Sequence, residues 1–161
     1  MSKKLSAATK RAIERNYNQG PEWFCDIVTK PITGDLAEDK PDVVRRDPSA
    51  VLKVGDRYHV WYTRSIGKSY GFGSGDLEKK TFPWDQCDIW HATSRDGWHW
   101  EEQGLAVARG PRGDYDDRSV FTPEILAHDG KFYLVYQVVQ HPYLRRSFEN
   151  ISMAVADSPD G

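Results

Sequence analysis

Residues 47–65 read DPSAVLKVGDRYHVWYTRS, and residues 121–139 repeat the pattern as FTPEILAHDGKFYLVYQVV. The copies align at one offset of 74 residues, which matches Leu52 with Leu126 and Tyr62 with Tyr136. A second repeated motif follows each copy, ATSRDG at 92–97 and ADSPDG at 156–161. Self-similarity on this scale is typical of stacked sheets or blades, each of which buries its apolar face only against the next. The repeat therefore predicts a blade architecture.

The pattern inside each copy is that of β-strands. Tyr58, Val60 and Tyr62 recur at every second position, which is the period of a strand. Gly55-Asp56 and Asp129-Gly130 supply tight turns between strands, because glycine adopts positive φ at no steric cost. From residue 47 onward the sequence predicts an all-β fold.

The chain divides into an N-terminal helical segment, residues 1–35, and a β region, residues 36–161. Residues 5–30 predict two short helices, and Trp23, Phe24 and Ile27 give the second a strongly apolar face. Such a face must be covered, either by its own domain or by a neighbouring subunit.

Composition excludes several classes of protein. The 161 residues have a net charge of -2, so nothing indicates a general attraction to nucleic acid or to an anionic membrane. No apolar run approaches the ~20 residues that span a bilayer. The basic start MSKKLSAATKR has no apolar stretch after it and, as it stands, is not expected to be a signal peptide, although a leader could have been cleaved before it. A soluble protein is expected, and the sequence does not distinguish a cytoplasmic from a periplasmic location. Cys25 and Cys87 lack metal or redox spacing and predict buried thiols.

Two carboxylates occupy matching places in the repeats. Asp47 precedes the first strand of one copy, and Glu124 arrives at nearly the same place in the next. The first strand of every propeller blade lines the central axis, so both groups would point into a shared funnel. Arg45 and Arg46 beside Asp47 would keep the carboxylate ionised, as a general base requires. Paired carboxylates are what glycoside hydrolysis needs. The alternative for Asp47 is an ordinary turn residue in Asp-Pro-Ser.

Two further side chains are candidates for ligand contact. Trp84 offers an aromatic platform on which a sugar could stack, although tryptophan is more often a core residue. Gln137 interrupts the apolar alternation of the second copy and could bind a ligand hydroxyl, or equally face solvent.

Several motifs in order carry a family resemblance. They are Ser6-Ala7-Ala8 through Arg11, Trp23-Phe24, Arg46-Asp47-Pro48-Ser49, Val60-Trp61-Tyr62-Thr63-Arg64, Phe82-Pro83-Trp84-Asp85, Ala92-Thr93-Ser94-Arg95-Asp96-Gly97 and Phe121-Thr122-Pro123-Glu124. Together they resemble glycoside hydrolase family 117, the α-1,3-(3,6-anhydro)-L-galactosidases or neoagarobiose hydrolases. The match runs through nearly the whole chain.

The resemblance implies a five-bladed β-propeller, of which about two blades are present, and a homodimer that exchanges its N-terminal helices. It implies inverting exo-cleavage of 3,6-anhydro-L-galactose from neoagaro-oligosaccharides. Asp47 takes the place of the general base, and the sugar pocket is lined by Thr122, Glu124, Gln137 and Trp84. No cofactor is required for this chemistry, although a structural divalent cation near the propeller axis has family precedent.

The family's other acidic residues and its proton donor lie in later blades, beyond Gly161. The chain as an N-terminal portion is therefore expected to show no turnover by itself. Two alternatives stay open: a non-catalytic carbohydrate-binding or dimerisation module, and an arabinan-type furanosidase of related propeller architecture.

Overall fold

The computed structural model describes Glu14 and residues 30–161. Pro31–Gly161 form one compact unit. The two helices predicted within residues 5–30, and the dimer exchange assigned to them, fall outside the described residues apart from Glu14 and Lys30. The boundary at residue 35 stays a prediction, although Thr33–Gly34 already pair with a strand of this unit.

Strands dominate residues 30–161, which confirms the all-β prediction for this part of the chain. Its only helical pieces are two 3-10 turns, Asp35–Ala37 and Phe72–Ser74. The strands are β1 (Thr33–Gly34), β2 (Val43–Arg46), β3 (Leu52–Val54), β4 (Arg57–Ile66), β5 (Asp88–Ser94), β6 (His99–Val107), β7 (Ser119–His128), β8 (Lys131–Val139) and β9 (Glu149–Ala156).

The first sheet is built around β4. β4, β5 and β6 follow one another as antiparallel neighbours, and β1 adds to the far edge of β6 in parallel. β2 and β3 share the other edge of β4, where β2 pairs with its end and β3 with its beginning. The two short strands therefore act as one interrupted strand. Residues 47–51 between them leave the ladder, except that the Ser49 N–H donates to Trp61 O at 2.8 Å.

The second sheet repeats this arrangement with β7, β8 and β9. Asp129 and Gly130 join β7 to β8 with φ of 48° and 72°, the pair of positive angles that a two-residue hairpin turn demands. β7 is continuous, but its pairing with β8 shifts between Phe121 and Glu124. The break between β2 and β3 in the first copy thus corresponds to a bulge in β7 of the second copy.

Strand pairing shows that the two copies align differently before and after the bulge. Arg46 lies opposite Thr63, and Phe121 lies opposite Gln137. Asp47 therefore corresponds to Thr122, and both take positive φ, 47° and 50°. The offset of 74 holds from Leu52 onward, where pairing with β4 resumes, while the residues before the bulge are displaced by one. A non-glycine residue at positive φ is uncommon, so its recurrence at matching places marks a built feature of the repeat.

The main core lies between the two sheets. Trp61 and Ile89 from the first sheet pack against Val120, Leu134 and Val138 from the second. Each such side chain contributes about 1.5–3 kcal/mol when it is removed from water. The apolar alternation seen in the sequence is the pattern that fills this interface.

The opposite face of the second sheet exposes apolar side chains. Leu126, Met153 and Val155 are 59%, 56% and 50% exposed, and Ile151 is 76% exposed. The cross-strand pairs place them side by side with Tyr133 and Val135. A contiguous apolar patch of this kind is typical of an interaction surface or an aggregation site.

We expect a polypeptide of residues 1–161 to self-associate through this face and to melt with poor cooperativity. Met153→Lys should raise the monomer fraction several-fold, because it places a charge at the centre of the patch. Leu77→Lys is the control, since Leu77 is 50% exposed but lies outside the face. Light scattering after size-exclusion chromatography over a concentration series would measure this. A sharp two-state transition of a monomer would contradict it.

Among the described residues there is no helix of the length and apolarity needed to cross a membrane.

Candidate active site

Asp47 lies at the break between β2 and β3, where the chain leaves the sheet. Arg46 holds its carboxylate through two hydrogen bonds, Nε to Oδ2 at 2.6 Å and the terminal nitrogen to Oδ1 at 3.1 Å. The Asp47 side chain is 24% exposed, so water reaches it. The bidentate guanidinium fixes the orientation of the carboxylate, which a general base requires.

Arg46 is itself held by an aromatic pair. Its guanidinium carbon lies 4.8 Å from the centroid of the Trp84 ring, a cation–π contact. Phe82 stacks on Trp84 with centroids 4.6 Å apart and an interplanar angle of 12°. The indole therefore supports the arginine that binds Asp47. Whether Trp84 also contacts sugar, as the resemblance implies, stays a prediction.

The edge of the Trp84 indole is anchored as well. Its Nε1–H donates to the Tyr143 hydroxyl at 3.1 Å, and Tyr143 donates to Glu149 Oε1 at 2.7 Å. Burial and the bond to Glu149 raise the pKa of Tyr143 to about 12, so this hydroxyl keeps its proton. A chain of contacts thus runs from Glu149 on β9 through Trp84 and Arg46 to Asp47.

Glu124 reaches from the second sheet into the Asp47 loop. Its Oε1 accepts the N–H of Ala50 at 3.0 Å and the N–H of Ile125 at 2.9 Å. Ala50 lies three residues after Asp47, so Glu124 binds the loop that carries Asp47. The Thr122 N–H donates to Thr63 Oγ1 at 2.8 Å, which fixes the bulge of β7 against β4.

Gln137 is not drawn into this group. It is half-buried on β8, opposite Phe121 and Ile151, and its side chain makes no hydrogen bond within residues 30–161. Strand alternation places it on the face with Val135, away from the core. Contacts thus link Trp84 to Asp47 through Arg46, and Glu124 to the Asp47 loop through Ala50. Thr122 is fixed against Thr63, and Gln137 lies one strand further along.

A buried ion pair that the sequence did not reveal holds the long loop in place. Arg118 contacts both Asp85 oxygens at 2.7 Å, and the two side chains are 4% and 0% exposed. The same guanidinium donates to Leu77 O and Lys79 O, both at 2.8 Å. Residues 67–86 contain no strand, and Arg118, directly before β7, is one of the side chains that fix them.

The neighbouring loop contacts are buried too. Lys80 donates to Ser65 Oγ, and burial lowers the pKa of its ammonium group. Burial raises the pKa of Cys87 to about 11, so this fully buried thiol is an inert core group, as predicted. The Ser119 hydroxyl donates to Trp84 O at 2.9 Å and fixes the backbone that carries the indole. Cys25 lies outside the described residues.

Described side chains at this site do not form a ligand set for the cation that the resemblance implies. Asp47 is neutralised by Arg46, and one oxygen of Glu124 already accepts two N–H groups. Within residues 30–161, three His, Cys, Asp or Glu side chains converge in one place, His59, His91 and Asp160, which lies elsewhere.

The geometry can be compared with known structures. Zg3597, a family 117 glycoside hydrolase from the marine bacterium Zobellia galactanivorans, matches 82% of the chain at 37% identity with a TM-score of 0.73. The chain belongs to glycoside hydrolase family 117. The match confirms the family resemblance of the motifs. This family 117 chain spans 40% of the length of Zg3597.

More distant structures share the fold alone. A GH43_1 enzyme from Xanthomonas citri, a β-propeller, matches 98% of the family 117 chain in its xylotriose complex, at 18% identity and a TM-score of 0.53. Its xylose complex matches 96% at 17% identity and a TM-score of 0.54. These matches cover 37% and 36% of the longer chains. No protein-family model and no curated protein sequence matches the chain.

Proposed function

We propose that the protein is a glycoside hydrolase whose funnel is built in part by the break at Asp47 and the bulge at Thr122. The observation that carries this proposal is the bond from Ala50 N–H to Glu124 Oε1, 3.0 Å, which joins the matching segments of two successive repeats. It ties the loop that carries Asp47 to the blade that carries Thr122 and Glu124, which supports a pocket built by successive blades.

Asp47 is the base in this proposal. Arg46 occupies one lone pair on each oxygen and leaves the others available, and the side chain is 24% exposed. A water held there would lose its proton to Asp47 as it attacks the anomeric carbon, while a carboxylic acid on the opposite side protonates the leaving oxygen. That acid is expected in a later blade. The enzyme would need both groups about 6.5–9.5 Å apart to invert configuration.

The substrate class proposed is neoagaro-oligosaccharide, with release of terminal 3,6-anhydro-L-galactose from its α-1,3 bond. Family membership and the Arg46-Asp47-Pro48-Ser49 context support this choice. Thr122, Glu124, Gln137 and Trp84 are proposed to line the pocket, and a homodimer through the N-terminal segment is proposed with them.

The test is an assay of the full-length enzyme on neoagarobiose, with arabino- and xylo-oligosaccharides in parallel. Release of anhydrogalactose with inverted anomeric configuration, followed by NMR, is expected. Cleavage of arabino-oligosaccharides instead would assign an arabinan-type furanosidase. Binding of neoagarobiose without turnover would assign a carbohydrate-binding module.

A further inference from the structure

His59, His91 and Asp160 come together away from the candidate active site. His59 on β4 pairs with Leu52, whereas Arg46 beside Asp47 pairs with Thr63. Four residues along a strand correspond to about 13 Å. The two groups therefore lie toward different ends of β4.

The two imidazoles are buried and face each other. His59 Nδ1 and His91 Nε2 lie 3.0 Å apart, and the rings are within 10° of parallel with centroids 5.2 Å apart. His59 and His91 are 4% and 6% exposed. Neither ring makes another hydrogen bond within residues 30–161. Trp61 stacks on His91 at 4.8 Å and covers one side of the pair.

Asp160 brings a carboxylate to this pair from the other sheet. It lies in the turn after β9, and one donor atom from each of the three residues falls within 4.8 Å of the others. Within the described residues Asp160 has no hydrogen bond or ion pair. A cleft of about 880 Å³ between β6 and β9, lined by His91, Thr93 and Asp160, opens this place to solvent.

We propose that His59, His91 and Asp160 bind a divalent transition-metal ion, zinc by preference, that links the first sheet to the turn after β9. Two imidazoles and a carboxylate form a donor set that zinc accepts, with water as the fourth ligand. Two nitrogens on tetrahedral zinc lie about 3.3 Å apart, close to the 3.0 Å found here.

Binding needs only local rearrangement. The proton that now lies between Nδ1 and Nε2 moves to the outer nitrogen of its ring, so each ring presents a lone pair to the metal and no proton is released. Asp160 closes a gap of less than two ångströms, and as an exposed side chain it is able to do so. The positively charged side chain of Arg57 also lines the cleft, where its guanidinium donates a hydrogen bond to Thr93 Oγ1 at 3.2 Å.

Equilibrium dialysis of the chelator-treated chain against zinc, with metal counted by mass spectrometry, tests this inference. One zinc per chain at micromolar free metal is expected. Asp160→Asn should weaken binding about tenfold or more, and Arg57→Gln should strengthen it several-fold because a nearby positive charge is removed. Asp157→Asn is the matched control, since Asp157 lines the same cleft but pairs with Lys131.

A second readout does not depend on a buried substitution. Imidazole nitrogen NMR of the unaltered chain should show His59 and His91 lose their shared proton and shift on zinc addition, while His128 stays unchanged. Absence of zinc uptake at micromolar concentration would overturn the proposal. Binding that is equally tight in Asp160→Asn, with both imidazole signals unmoved, would also overturn it. None of these measurements depends on glycosidase activity.

Discussion

Replacing Asp47 with Asn in the full-length enzyme is expected to lower kcat on neoagarobiose by about a hundred- to ten-thousandfold, with binding changed only a few-fold. The amide has the shape of the carboxylate but cannot accept the proton of the attacking water. Substrate contacts made by other side chains remain, which is why the loss falls on kcat.

The control for this prediction is Asp56→Asn. Asp56 lies in the turn between β3 and β4, where its carboxylate is 77% exposed and pairs with Arg95. The two variants remove the same charge, one at the proposed site and one at the opposite end of the strand. Steady-state kinetics on both variants would distinguish the loss of the proposed base from the loss of one negative charge. If Asp47→Asn kept activity within about threefold of the unaltered enzyme, Asp47 would lose the role of base.

The second large effect concerns stability. Asp85→Ala is expected to lower the free energy of unfolding by about 3–5 kcal/mol, because it leaves the Arg118 guanidinium buried without a counter-charge. The N–H of Thr81, which now donates to Asp85 Oδ2 at 2.6 Å, loses its acceptor as well. Urea unfolding in the Met153→Lys background, where self-association is suppressed, would measure the change.

Two comparison variants make this result specific. Asp157→Ala breaks the exposed pair with Lys131 and should cost about 1 kcal/mol or less. Asp85→Leu combined with Arg118→Met removes both charges and should cost less than Asp85→Ala alone. An Asp85→Ala cost no larger than that of Asp157→Ala would show that the buried pair does not hold the loop.

Local patterns were sufficient to predict the strands of the two copies. Alternation around Tyr58, Val60 and Tyr62, and the turn at Asp129-Gly130, depend on neighbours a few residues away. The same locality explains the error in the alignment. A one-residue insertion after the Asp47 bulge leaves the alternation of Leu52 onward intact, so the sequence alone does not show that Asp47 corresponds to Thr122.

Partnerships between distant side chains were not predictable in this way. Arg118 and Asp85 are 33 positions apart, and nothing in either neighbourhood marks the other. Both Arg45 and Arg46 were expected to hold Asp47, but only Arg46 does so, whereas Arg45 pairs with Glu102. The contact of Arg46 with Trp84 was not expected. His59 and His91 show no metal spacing in sequence, because antiparallel pairing of β4 and β5 is what brings them together.

From sequence alone came the repeat and the β architecture, since both follow from residue order and short-range periodicity. The family was indicated by the resemblance of its ordered motifs. Tertiary structure alone decided which charges are buried together, which aromatic supports Arg46, and which imidazoles face Asp160. The physical reason is that strand pairing is encoded along the chain, whereas the contacts of a side chain across the interface depend on how two complete sheets pack.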